Sequence, residues 1–386
     1  MFMPELARHV ASVPESGIRR IHEIALQLED VISLAVGEPD AAVAAHIAEA
    51  AASAWRDDRT DYTANGGLPE LRRAIVDKLA AVNGIAVDIE QVWVTVGATQ
   101  ALHQAMALTL GPGDEVLVPD PGYTTFSMSA RLLHAVPVPY PLHADDAFVP
   151  DLESLERLVT ERTRAIIVNT PSNPLGIVYD ESVLRGILDL ARRHDLWVIS
   201  DEVYEFFTAG EPHVSIAALD DDDRVFSAFS LSKTYAMTGA RVGYLVTPSG
   251  LAATMRTVQE TTVSCVAEPD QWAALAAVTG PQDAAEEARR HYDDNRDAAT
   301  RLLDERGIRY LPPKGAFYLW IDLSHAGEGD IAAWAERFLL AERVSVAPGS
   351  AFGRSVEGWI RVCLAASRDD LLAGLACLPA PTPTAP

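Results

Sequence analysis

Residues 225–243 read VFSAFSLSKTYAMTGARVG. The opening stretch, 225–229, is short, apolar and rich in aromatic and β-branched side chains, which predicts a buried strand. Directly behind it come Ser230, Ser232 and Lys233, two hydroxyls beside an amine at a strand's carboxyl end. Runs of the same character recur on the N-terminal side at 91–96, 115–118, 164–169 and 196–200. Helical patterns at 99–110 and 181–194 lie between some of them, and the turn Gly111-Pro112-Gly113-Asp114 and the pair Pro121-Gly122 punctuate the series. Strands alternating with helices predict an α/β fold: a mostly parallel sheet flanked by helices.

Beyond residue 285 the pattern changes. A long helix at 286–305 is followed by short strands at 318–321, 344–346 and 359–362, which predicts a separate, smaller α/β domain. The expected organisation is an N-terminal segment 1–45 contributing to the small domain, a large domain 46–285 and a C-terminal small domain 286–378. The proline-rich tail 379–386 is expected to be disordered. The run Asp220–Asp223 reads as a solvated loop, because like charges repel and extend the chain.

Composition narrows the function. The 386 residues carry 31 basic and 55 acidic side chains, a formal net charge of −24, with 48% hydrophobic residues. Such an acidic chain is a poor partner for nucleic acid or an anionic membrane, although a local basic site for a small anion is allowed. No apolar run approaches the roughly 18–20 residues of a membrane span, and residues 1–34 lack the form of a signal peptide. Three cysteines, Cys265, Cys363 and Cys377, fit neither a disulfide framework nor a zinc site, so a reducing cytoplasm is expected. The ten histidines show no metal-ligand pairing, and no metal is expected.

In open parallel sheets, ligands bind beyond the carboxyl ends of the strands. Four predicted strand ends deliver a helix start (Gly97, Ala98, Thr99), an amide (Asn173), an acid with a phenol (Asp201, Tyr204) and a lysine flanked by hydroxyls (Ser230, Ser232, Lys233). Singly, each has a plainer reading as a cap, a turn or a surface charge. Together, by the strand-end rule, they are expected to converge on one pocket.

The segment from Ser230 to Gly243 resembles the pyridoxal-phosphate attachment signature of class I/II aminotransferases, with Arg241 eight residues after Lys233 in a Gly-x-Arg-x-Gly setting. Further matches occur in order: Gly37-Glu38-Pro39, Tyr62 with Gly66-Gly67-Leu68-Pro69-Glu70-Leu71-Arg72, Asn169 to Gly176, Ser200 to Tyr204, Gly315-Ala316-Phe317-Tyr318 and Ile360-Arg361-Val362. The resemblance is to fold-type-I, aspartate-aminotransferase-like enzymes and covers nearly the whole chain.

It implies pyridoxal 5′-phosphate as cofactor, with Lys233 as its Schiff-base lysine and the acid–base that moves the proton of the substrate Cα. Asp201 is implied to pair with the pyridine nitrogen, and Asn173 and Tyr204 to donate to the ring 3′-oxygen. The phosphate is placed at Gly97, Ala98 and Thr99 with Ser230, Ser232 and Arg241, and Tyr123 stacks on the ring. Arg361 takes the substrate α-carboxylate, near the backbone of Gly37. Ile18 covers the substrate, whereas Arg19 and Arg20 read as surface charges. Tyr62 is implied to reach the phosphate of a neighbouring subunit, which makes the active unit a homodimer with shared sites.

The reading is an aminotransferase with an α-amino acid donor and a 2-oxo acid acceptor. Another enzyme on the same scaffold (a β-lyase, decarboxylase or cyclising synthase) is the alternative. A cofactor-binding regulator is set aside, because 1–36 is too short for a DNA-binding domain. No second arginine for a distal carboxylate is identifiable, so the donor's side chain is left open.

Overall fold

The computed structural model describes residues 5, 7–210, 212–327 and 329–382. A two-residue strand, β1 (Ile32–Ser33), comes first. Seven strands of the central part follow: β2 (Val92–Thr95), β3 (Glu115–Asp120), β4 (Val136–Pro141), β5 (Thr163–Asn169), β6 (Trp197–Asp201), β7 (Val225–Ser230) and β8 (Gly243–Val246). The C-terminal part holds β9 (Tyr310–Leu311), β10 (Tyr318–Asp322), β11 (Val344–Ser345), β12 (Ala347–Pro348) and β13 (Trp359–Cys363).

The seven central strands form one sheet in the order β2-β8-β7-β6-β5-β3-β4. All neighbouring pairs from β7 to β4 are parallel, and β8 runs antiparallel to both β7 and β2. The expected mostly parallel sheet is present. Its inner strands are buried along almost their whole length, as befits strands covered on both faces by helices. Along β5, Ala165 and Ile167 pack into one apolar cluster with Ala101, Ala105 and Phe226, while Ile166 and Val168 join the opposite one with Leu184 and Ile187. That is the two-residue period of a pleated strand dividing one sheet between two cores.

Two central strands escaped the sequence reading. β4 reads VPVPYP, and three prolines in six residues argue against a strand. It is tolerated because β4 lies at the sheet edge, pairing with β3 alone. β8 is four residues long and follows directly on the Lys233 segment.

The smaller sheet has the order β12-β13-β10-β9. The break between the sheets spans β8 to β9, and the long helix between them runs Asp283–Glu305, three residues earlier in onset than expected. β1 pairs in parallel with β11, at Ile32↔Val344 and Ser33↔Ser345, so the N-terminal segment is tied to the C-terminal part. Of the tail, residues up to 382 lie outside regular secondary structure, the carbonyl of Pro379 accepts from His325 Nε2 at 3.0 Å, and 383–386 fall outside the described residues. The acidic run is a loop with Asp221, Asp222 and Asp223 exposed, as expected, and it is pinned at its ends: the Asp220 carboxylate accepts from the backbone N–H of Arg224 and Val225, and Asp221 and Asp222 pair with Arg192.

Candidate active site

The carboxyl ends of β2, β5, β6 and β7 open into one cleft of about 420 Å³. Ala98, Thr99, Tyr123, Asn173, Asp201, Tyr204, Ser230, Ser232, Lys233, Arg241, Gly37 and Arg361 all line it, as do Ile18 and Arg19. Two expected residues do not. Gly97 lies directly behind the lining, and Tyr62 is 91% exposed on the outside of the chain. An outward tyrosine is what a residue serving a neighbouring subunit requires.

At the end of β2 the chain enters the helix Gly97–Thr109 through Gly97 at φ +68°, a left-handed conformation suited to glycine. A Cβ there would sit 2.6 Å from Arg241 Nη2, so the guanidinium rests on the helix start. Arg241 Nη1 donates to the Thr238 carbonyl at 2.8 Å. Ser230 caps the turn that carries Lys233 by accepting the Ser232 N–H at 3.1 Å. Free N–H groups, two serine hydroxyls and an arginine fork thus share one end of the cleft, a set that suits a phosphate.

Asp201 closes β6. It is buried, and its Oδ1 accepts the Val203 N–H at 3.3 Å. Burial pushes its carboxyl up to about 7, the Val203 bond opposes this, and neighbouring Glu202 adds to it. A buried acid so raised favours a cationic partner. Glu202 faces away and accepts from Ser215 Oγ at 2.9 Å, with His213 Nε2 2.8 Å from its other oxygen.

Lys233 Nζ donates to the Gly37 carbonyl at 2.6 Å. Burial lowers its ammonium to about 8, so near neutral pH it is within reach of the free amine that nucleophilic or base chemistry needs.

Arg361, on β13, is 2% exposed. Its Nη1 donates to Asn173 Oδ1 at 2.7 Å and its Nη2 to the Ala35 carbonyl, while its Nε is buried without a partner. The Asn173 backbone N–H in turn donates to Asn169 Oδ1 at 2.9 Å. The guanidinium lies 4.3 Å over the Tyr318 ring and 4.9 Å over the Phe352 ring.

A family model for aminotransferase class I and II matches residues 29–376. The chain belongs to the class I and II aminotransferase family. As an aminotransferase of this family it is similar to the aspartate aminotransferase of Pyrococcus abyssi, 38% identical over 93% of each chain. It is likewise similar to the aromatic-amino-acid aminotransferase 2 of Thermococcus litoralis, 36% identical over 95% of each. The solved aspartate aminotransferase from Thermus thermophilus with maleate superposes with a TM-score of 0.92, at 34% identity, over 97% of this chain and 99% of that one. The fold is that of the fold-type-I aminotransferases, and the cofactor of this aminotransferase is pyridoxal 5′-phosphate.

The residues present fit that group. Asp201 is a buried acid with no ion pair among the described residues, the Gly97 turn lets the Arg241 guanidinium lie against the helix start, and the Arg361 Nε is buried without a hydrogen-bond partner. Lys233, Arg241, Arg361 and Arg19 gather around one cleft of a chain whose net charge is −24, a local cationic field suited to a phosphate and a carboxylate.

Some cleft residues were not assigned from sequence. Thr238 donates to Glu38 Oε1 at 2.6 Å across the mouth, and Tyr318 and His22 line the wall. Tyr318 stood inside a recognised motif, yet nothing in the spacing shows that its hydroxyl lies 2.6 Å from that of Tyr204.

Proposed function

We propose that this aminotransferase works with Lys233, Asp201 and Tyr204 as its catalytic residues and Arg361 as its carboxylate anchor. The observation that carries the reading is that a lysine with a depressed ammonium, a buried acid and a buried arginine line a single cleft. When bound, pyridoxal phosphate supplies the electron sink that makes the substrate Cα–H acidic. Lys233 Nζ holds the cofactor, and then takes and returns the proton at the substrate Cα. Asp201 holds a proton at the ring nitrogen. Tyr204 and Asn173 donate to the ring 3′-oxygen, and Tyr123 covers one face of the ring. Ala98, Thr99, Ser230, Ser232 and Arg241 bind the phosphate, with Gly97 giving the turn that brings the helix start close. Arg361, with the backbone near Gly37, fixes the α-carboxylate and so aims the Cα–H bond.

The acid–base residues all lie in 46–285, the large domain, while 286–378, which joins 1–45 in the smaller one, brings the carboxylate anchor Arg361. We further propose a homodimer in which Tyr62 completes the partner's phosphate site; its 91% exposure supports this. Among the described residues no helix is long and apolar enough to cross a membrane. All three cysteines are free, which supports a cytoplasmic enzyme.

For the donor we propose an acidic or aromatic α-amino acid. The cleft wall from the helix Gly17–Ala25 mixes apolar Ile18 with Arg19 and His22, and relatives carry the names of aspartate and aromatic aminotransferases. A half-reaction screen tests this: single amino acids are added to the cofactor-loaded protein and its visible absorption is followed. Bleaching by aspartate or an aromatic amino acid, reversed by a 2-oxo acid, is expected. Persistence of the band with release of ammonia or carbon dioxide would overturn it.

A further inference from the structure

Tyr318 lies on β10 and is buried to 1% exposure. Its hydroxyl is 2.6 Å from that of Tyr204, and among the described residues this is its hydrogen-bond partner. On the other side the hydroxyl presses on Gly37, where a Cβ would sit only 1.9 Å away. Burial drives both phenols well above their usual titration range, so both stay protonated. The pair therefore carries two protons. One lies between the oxygens and the other points outward. If Tyr204 donated to Tyr318, the outward proton would sit on the more confined hydroxyl with no acceptor, which is costly for a buried donor. If Tyr318 donates, the free proton belongs to Tyr204.

The ring of the same residue serves Arg361. In the antiparallel β10–β13 pair Tyr318 stands opposite Cys363 and Trp320 opposite Arg361, so the tyrosine ring reaches the guanidinium diagonally, a distance aromatic side chains span. Together with Phe352, it places the guanidinium against two rings, at 4.3 and 4.9 Å. Cation–π contact of this kind fixes the plane of a guanidinium and leaves its edge for a carboxylate.

We propose that Tyr318 is a positioning residue for both ends of the reaction: its hydroxyl donates to Tyr204 and turns the Tyr204 proton toward the cofactor oxygen, and its ring orients Arg361 for the substrate carboxylate. The proposal rests on the roles given above to Tyr204 and Arg361, and it assigns a role to a residue that the motif reading left without one.

The test uses the cofactor-loaded enzyme and the variants Tyr318→Phe, Tyr318→Leu and Tyr204→Phe. Two quantities are measured without turnover: the pH midpoint of the visible absorption change of the bound cofactor, and the dissociation constants of maleate and 3-phenylpropionate as carboxylate probes. A donated hydrogen bond strengthens the next one in a chain, so its loss in Tyr318→Phe weakens the Tyr204 bond to the anionic oxygen. The midpoint should rise by about 0.5 pH unit, with carboxylate binding within about twofold of wild type because the ring remains. Tyr318→Leu should show the same rise and bind the probes about tenfold more weakly. If Tyr318→Leu does not fold, Tyr318→Met, a longer apolar side chain without the ring, takes its place. An unmoved midpoint in Tyr318→Phe beside a raised one in Tyr204→Phe overturns the hydroxyl role alone. An unmoved midpoint in Tyr204→Phe overturns the Tyr204 assignment and the hydroxyl role with it. Unchanged carboxylate affinity without the ring overturns the Arg361 role.

Discussion

Asp201 and Lys233 are displaced in opposite directions by the same burial, and together they shape how the cofactor-free protein responds to pH. The Asp201 carboxyl rises from 3.8 to about 7, so between those values the native state holds its proton more tightly than the unfolded chain. Stability contributed there falls as pH rises through that window. The Lys233 ammonium is lowered from 10.5 to about 8, so between 8 and 10.5 the unfolded chain binds the extra proton and stability climbs with pH. These two groups together should therefore contribute least to the stability of the cofactor-free protein between pH 7 and 8. Asp201→Asn should remove the fall on the acid side and Lys233→Met the climb on the alkaline side, each by up to about 3–4 kcal/mol. Urea titrations of wild type and variants across pH 5–10 check this, and a difference between wild type and variant that does not change with pH would contradict it. Loading the cofactor should fill the trough, since a saturating ligand at about 100 times its dissociation constant adds about 2.7 kcal/mol. In the same residues, Lys233→Ala should still bind the cofactor without a covalent link and lose about 10³-fold or more in turnover. Stopped-flow absorbance with a fixed amino acid measures that directly.

Among the elements, the junction between β7, β8 and the helix Gly97–Thr109 is tight on backbone alone. A Cβ on Gly243 would lie 2.6 Å from the Phe229 carbonyl oxygen and 2.8 Å from the Ala98 nitrogen. Both neighbours are backbone, so the helix start must shift to make room. Gly243→Ala should cost about 1–3 kcal/mol and weaken cofactor binding, whereas Gly239→Ala, which meets nothing within 4 Å, should leave both unchanged. Equilibrium dialysis of the cofactor against the two variants decides it. The strands that carry Asp201 and Lys233 were legible because both-face burial writes itself as a run of apolar residues, and the rule that ligands gather at strand ends did the rest. β4 was hidden because its prolines mark breaks unless the edge position is known, and β8 because four residues hold too little periodicity. Tyr318 with Tyr204, and His213 with Glu202, were illegible for another reason. The first pair is 114 residues apart in sequence, and the second is joined by a loop whose return path no spacing rule supplies.

At the scale of the whole molecule, the proposed sharing of Tyr62 between subunits makes a mixed-subunit experiment informative. On that proposal Tyr62→Ala and Lys233→Ala should each impair both sites of their own homodimer. In a mixed dimer with shared sites, one site carries both defects and the other neither. Refolding the two variants together should thus restore activity well above either parent, and activity no higher than the average of the parents would contradict the shared site. The identity of the acidic surface, 55 acidic against 31 basic side chains, matters less than where the 31 are used, since four of them converge on the cleft as Arg19, Lys233, Arg241 and Arg361.

The pairing of β1 with β11 has a consequence for how the chain is made. Ile32 and Ser33 emerge from the ribosome early, and the residues they stand beside, Val344 and Ser345, follow only after the whole central sheet. With roughly 310 residues between them and synthesis at about 5–20 residues per second, the wait is on the order of 15–60 s. During it the helix Gly17–Ala25, which walls the cleft, has no small sheet to rest on. A nascent polypeptide arrested before β11 would then bear a protease-sensitive leader on an already resistant body, and the ability to trap an amino acid would be among the last properties acquired in translation.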